Sequence, residues 1–202
     1  FKLSYQTDIP VLLGLSGSSA IISACLRALG SWYGVKMEPW LLANLAWEVE
    51  TKELDIPAGL QDRVAQAYNY PVFMDFDEGH FNTNPYGKYE RLQRPLKNIF
   101  IAYNNNLAEG SAVTHTSLRE RFNYGDTSVL EAVEKWKSLT LNFRKALEQD
   151  DMDTMFDCID TNFDVRNMAT ELKPEQVELV KLARKSGCCA KFCGSGGAII
   201  GM

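Results

Sequence analysis

Three places in this 202-residue chain carry residue types that can do chemistry. The first is Gly14-Leu15-Ser16-Gly17-Ser18-Ser19-Ala20, set between an apolar lead-in ending at Leu13 and a run to Gly34 whose apolar residues recur at helical spacing. A glycine/serine loop that opens a helix is suited to an anion. The N–H groups of the loop and first turn have no intrahelical acceptor, the helix dipole is positive there, and small residues let a phosphate reach the backbone. The P-loop pattern is not met, because Ser18 stands where that pattern needs Lys. A tight turn with a serine N-cap reads the same residues without a ligand. The second place is Asp62, in a turn and short helix over Pro57 to Tyr68. It is either a helix cap or a carboxylate, held by backbone and by Arg63, that orients or deprotonates a substrate hydroxyl. The third is Gly194-Ser195-Gly196-Gly197, a hairpin turn or a ligand loop. Between the first two lie Glu48, Glu50 and Glu53, on or just past the C-terminal half of a helix that starts at Pro39. Acids there oppose the helix dipole, so they are either a solvated face or retained for another reason.

The elements that must position these residues follow from pattern. Residues 3–13 read as extended, about 18–33 as a helix closed by Gly34, and 72–76 as a strand. Residues 77–89, rich in Asn, Gly, Pro and Asp, read as a surface loop, and 97–103 as a further strand. Helices follow at 112–123, 129–149, 152–168 and 174–185, and the close is a glycine hairpin between strands 188–192 and 198–202. A composition shift at 90–96 divides the chain into domains 1–93 and 94–202.

The bulk numbers exclude some classes. An apolar share of 46% is that of a folded globular chain. A net charge of −5, with no Lys/Arg block, argues against a nucleic-acid partner. No apolar run approaches a membrane span and no signal peptide is visible, so no membrane partner is expected. Five cysteines without C-x-x-C spacing read as reduced core thiols of a cytoplasmic protein. The chain opens on Phe1 and runs straight into the extended stretch, which reads as a fragment.

Three separate stretches resemble one family, the GHMP kinases. Pro10 to Ala20 is similar to the family's Pro-x-x-x-Gly-Leu-Gly-Ser-Ser-Ala loop, with Ser16-Gly17 where a single Gly is usual. Gly59-Leu60-Gln61-Asp62 resembles the segment bearing the catalytic Asp, and Lys191 to Ala198 resembles the closing glycine motif. Within the family the likeness is strongest to the sugar-1-kinases acting on glucuronic acid. It is carried by Gly14 to Ile21, Ala58 to Gln66, Met74-Asp75-Phe76, His115 to Arg121, Asn162-Phe163-Asp164 and Ala190 to Gly197. The resemblance implies an α+β, two-domain GHMP kinase fold with its N-terminal part incomplete and a ferredoxin-like C-terminal layer carrying several helices.

It also implies roles. ATP phosphates would lie on Gly14, Leu15, Ser16, Gly17, Ser18, Ser19 and Ala20, and Asp62 would act as base or orienter. Mg²⁺, a hard cation, would take the hydroxyl of Ser18 or Ser19. Family members place a metal-binding Glu about eleven residues before the catalytic Asp; Thr51 stands at that position here, which moves the role to Glu50, with Glu48 as the alternative. Gly194, Ser195, Gly196 and Gly197 would approach the sugar. A uronate carboxylate suits a bidentate Arg, with Arg166 foremost and Arg119 and Arg121 beside it. The expected reaction is ATP-dependent phosphorylation of D-glucuronate to its 1-phosphate. The alternatives are another sugar (galactose, arabinose or a heptose phosphate) and a catalytically silent homologue that binds sugar or nucleotide. Oligomeric state is left open.

Overall fold

The computed structural model describes residues 1–108 and 118–202. They form two compact units, 1–9 with 16–95 and 10–15 with 96–202. His115 and the first part of the helix expected at 112–123 lie outside the described residues.

In the first unit, α1 (Gly17–Tyr33) ends where expected. Gly34 turns left-handed at φ 67°, and the Val35 N–H returns to the Gly30 carbonyl at 2.8 Å. Helix α2 (Pro39–Glu48) starts at a proline, which lacks only an N–H that the first turn cannot use, and continues as a π turn over Val49–Glu53. The helix α3 (Gln61–Tyr68) packs with α1 and α2 around Leu42, Ala43, Val64 and Ala67, with Leu26, Met37 and Leu60 closing the cluster. Strand β1 (Val72–Asp75) lays Val72 and Met74 on the same core.

Two expectations are corrected here. Residues 3–13 form no strand with any described residue, and Leu3, Tyr5, Val11 and Leu12 are exposed. A strand exists through its partner's hydrogen bonds, and Pro10 also removes a donor. The supposed loop 77–89 holds the short helix α4 (Glu78–Phe81), capped by the Asp77 carboxylate. It then enters β2 (Lys88–Arg91), which pairs antiparallel with β1 from Val72–Arg91 to Asp75–Lys88. The Asn- and Pro-rich composition of the long connection hid the strand that follows it.

In the second unit, β3 (Phe100–Tyr103), β4 (Ala190–Phe192) and β5 (Ala198–Gly201) form an antiparallel sheet in the order β3-β5-β4. Among the described residues, the α-helices α5 (118–123), α6 (Thr127–Gln149), α7 (Met152–Ala169) and α8 (Pro174–Lys185) accompany it. Phe163, Val180, Ala190, Phe192 and Ile199 form its core, with Phe163 and Phe192 edge to face at 5.2 Å. Arg184 ties α8 to α7 through Asp160 (3.0 Å) and Asp164 (2.8 Å). Among the described residues, no helix is long and apolar enough to cross a membrane. The five cysteines are free thiols.

Arg121 turns out to be a bracket. Its Nε donates to Asp126 (2.8 Å), Nη1 to the Ala169 carbonyl (2.6 Å) and Nη2 to Ser128 Oγ (2.9 Å). Asp126 caps α6 through the Ser128 and Val129 N–H groups. The Arg121 and Ser128 hydrogen bonds pull its carboxyl down from the ordinary range to about 2. A depressed carboxyl pKa contributes stability at pH above the unfolded value, and that contribution is lost as pH falls through the folded one. Carboxyl NMR should therefore show Asp126 titrating near 2, and Arg121→Met should move the midpoint upward; an unchanged midpoint would show that Arg121 is not the cause.

Candidate active site

The glycine motifs at 14 and 194 meet inside the second unit, backbone against backbone. Gly14 sits at φ +68°, and a Cβ there would lie 2.9 Å from Ser195 N and 3.2 Å from Gly194 Cα. Reciprocally, a Cβ on Gly194 would lie 2.7 Å from Gly14 O. Neither main chain can give way as a flexible side chain would, so glycine is required at both positions. Leu13, fully buried, lies where a Cβ on Gly197 would be (2.6 Å), and the Gly197 carbonyl accepts from Asn104 N–H at 3.1 Å. The turn closes β4 onto β5, with Cys193 N–H on the Ala198 carbonyl at 3.1 Å.

Arg166, on α7, braces this turn. Its Nη1 donates to the Gly194 carbonyl (2.7 Å) and its Nη2 to the Ser195 carbonyl (3.2 Å), while the guanidinium stacks 5.2 Å from the Phe192 ring centre. Its Nε is buried without a partner. Lys191 Nζ donates to the Phe192 carbonyl at 3.2 Å. Burial pushes both cations' pKa values down, and Arg166 adds to the effect on Lys191. Among the described residues no carboxylate pairs with either. Positive charge with no acid to cancel it thus stands behind a loop whose Gly194, Ser195 and Gly197 carbonyls are engaged and whose N–H groups at 194–197 find no acceptor among the described residues. That polarity suits an anion.

The other half of the expected phosphate loop, from Ser16 on, belongs to the first unit. Ser16 is the left-handed residue before α1 (φ 59°), and its carbonyl accepts from Ala20 N–H (3.1 Å) and from Ser19 Oγ (2.9 Å). No side chain caps α1, so the N–H groups of Gly17, Ser18 and Ser19 are left for an external acceptor. Ser18 is exposed; Ser19 is fully buried.

The acids fall into distinct environments. Glu48 is half-buried and pairs with Lys52 (2.7 Å), and Glu53 is exposed. Thr51 donates its hydroxyl to the Trp47 carbonyl (2.8 Å). Glu50, in the π turn, is fully buried; its Oε2 accepts from Nε of Arg63 and pairs with Nη2 of the same guanidinium, while Oε1 is buried without a partner. Arg63 Nη1 donates to the Gly59 carbonyl (3.0 Å) and lies 3.5 Å from Asp62 Oδ2. Asp62 is in the first turn of α3 but makes no capping bond: Leu60 holds the N-cap position and no side chain caps the helix. Asp62 is therefore not the cap of α3, and its side chain is 39% exposed.

Among the described residues no three His, Cys, Asp or Glu side chains gather as a metal cage. The donor set nevertheless fits Mg²⁺, which is bound by one or two carboxylates together with waters and substrate phosphates. Glu50 supplies a buried carboxylate oxygen lacking a donor, the kind of orphan a cation satisfies.

Sequence reading missed the Glu50–Arg63 pair and the contact of the two glycine loops. One signal for the first was present: Arg63 falls on the face of α3 that carries Leu60, Val64 and Ala67, where a cation needs a buried partner. Nothing in the spacing of Gly14 and Gly194 announces their contact.

Residues 1–70 match the GHMP kinases N terminal domain. The chain is 37% identical over 206 residues to glucuronokinase 1 of Arabidopsis thaliana, covering 99% of this chain and 56% of that protein. It is 38% identical to probable glucuronokinase 2 of the same plant, with the same coverage. The chain thus spans about half the length of the curated relatives it matches. A solved phosphomevalonate kinase of Streptococcus pneumoniae, in complex with phosphomevalonate and AMPPNP, shares the fold. It aligns with a TM-score of 0.74 over 91% of this chain and 59% of that one, at 14% identity.

Proposed function

The chain belongs to the GHMP kinase family, and on that premise we propose that it phosphorylates the anomeric hydroxyl of D-glucuronate with ATP. The observation that carries the reading is the state of Asp62: uncapped, partly exposed, and tied through Arg63 to the buried acid Glu50. In phosphoryl transfer the protein positions the reactants and stabilises charge, and a carboxylate takes or orients the proton of the attacking hydroxyl. Asp62 has that role here. As the hydroxyl proton passes to it, the sugar oxygen forms its bond to the γ-phosphorus and the bridging oxygen leaves with ADP.

The free N–H groups at the start of α1 bind phosphate oxygens. Glu50 Oε1 and a loop serine hydroxyl are the oxygens that would hold Mg²⁺, which would supply positive charge against the nucleotide phosphates. Of the two serines, Ser18 has the exposed hydroxyl. Arg166 enters as the brace of the Gly194–Gly197 turn, since Nη1 and Nη2 are both taken by its carbonyls. Glucuronate as the acceptor rests on the two plant relatives.

A coupled ADP-release assay on the full-length protein, with glucuronate, galactose, arabinose and a heptose phosphate, tests this. Release is expected with glucuronate at a kcat/KM at least tenfold above the other sugars. Preference for another sugar replaces the substrate, and nucleotide binding without release from any of them points to the silent homologue.

A further inference from the structure

A buried ion pair does little for stability compared with apolar side chains of the same volume, so the Glu50–Arg63 pair calls for another explanation. Arg63 stands on the core face of α3 with 5% of its surface exposed, and it uses all three guanidinium nitrogens. Nε and Nη2 converge on one oxygen of Glu50, in the π turn after α2. Nη1 takes the Gly59 carbonyl at 3.0 Å, in the turn that leads into α3, and lies 3.5 Å from Asp62 Oδ2 at the head of that helix. The same turn is held again by Trp47 Nε1 on the Ala58 carbonyl (3.0 Å) and by Ile56 N–H on the Glu50 carbonyl (2.8 Å).

We propose that Arg63 is a positioning residue that fixes the Asp62 carboxylate for proton transfer by locking it, through one planar fork, to Glu50 and to the Gly59 turn. The inference rests on the reading of Asp62 as the base. Arg suits the task because its donors are rigidly spaced; a Lys has one nitrogen and cannot reach three acceptors on different segments at once. Because Arg63 faces Asp62 and Glu50 and not a ligand, its loss should act on the chemical step and spare ground-state binding. Small misplacements of a catalytic group cost up to about a hundredfold in rate.

The test is Arg63→Lys in the full-length protein, alone and combined with Asp62→Asn, with glucuronate and ATP varied separately. Expected for R63K is a kcat lowered roughly ten- to hundredfold with both KM values within about twofold of wild type. In the D62N background, R63K should change the residual kcat by less than about twofold, since its target is gone. Wild-type kcat in R63K overturns the inference alone, as does an equal loss in both backgrounds. Wild-type turnover in D62N overturns the underlying reading and the inference with it. If circular dichroism shows R63K unfolded, E50Q/R63Q, a neutral pair, is compared with E50Q at saturating Mg²⁺. A further loss of about tenfold is expected, and equal rates overturn the inference.

Discussion

Asp62→Asn is expected to leave the fold intact and to lower kcat by about a hundredfold to ten-thousandfold, the range over which positioned acid–base groups act. The substitution is isosteric. It breaks no helix cap, because Asp62 makes none, the side chain is 39% exposed, and buried Arg63 keeps its bonds to Glu50 and the Gly59 carbonyl. What is lost is the capacity to take a proton, together with an ion contact to Arg63 at 3.5 Å, which is worth little at a partly exposed site. The thermal midpoint should move by no more than a few degrees while turnover at saturating ATP and glucuronate collapses. Near wild-type kcat would remove Asp62 from the chemistry.

Gly14→Ala should have the largest effect on the structure. Position 14 is left-handed at φ +68°, which costs an L-residue about 1–2 kcal/mol. The new methyl would also lie 2.9 Å from Ser195 N and 3.2 Å from Gly194 Cα, and overpacking against backbone adds about 1–3 kcal/mol. The expected sum, roughly 2–5 kcal/mol, should appear in denaturant unfolding, with displaced amide signals for Gly194 to Gly197. Gly17→Ala is the control. Its Cβ would meet nothing nearer than Ile9 Cγ2 at 3.7 Å, and its φ is not positive, so the fold should tolerate it. Any loss of ATP affinity in G17A then reports on phosphate approach to the start of α1. If G14A matches wild type in stability and in these amide signals, the contact between the two glycine loops is wrong.

Local rules made much of the fold legible. Helical periodicity, Gly34 as a C-cap and Pro39 and Pro174 as helix starts located α1, α2, α6, α7 and α8 closely. Partner-dependent features were not legible. The stretch 3–13 has strand composition without a partner among the described residues, and β2 exists because β1 lies opposite it. The site divides the same way. Motif likeness singled out Glu50, Asp62 and the two glycine stretches, but their environments come from tertiary contact. Glu50 and Glu48, two residues apart in one acidic cluster, end up fully buried against Arg63 and half-buried beside Lys52. Arg121 and Arg166, both candidates for a uronate carboxylate, are engaged by the Ala169 carbonyl and by the Gly194 and Ser195 carbonyls. An arginine's sequence neighbours do not tell whether its fork will meet a ligand or a carbonyl far along the chain.

Phosphorus NMR of the reaction product tests the central claim most directly. Incubated with Mg-ATP and D-glucuronate labelled with ¹³C at C1, the full-length protein should yield ADP and a phosphate ester whose ³¹P signal couples to the labelled carbon, and D62N should yield at most about a hundredth as much in the same time. Inorganic phosphate without a sugar ester, or an ester on a carbon other than C1, would contradict the account.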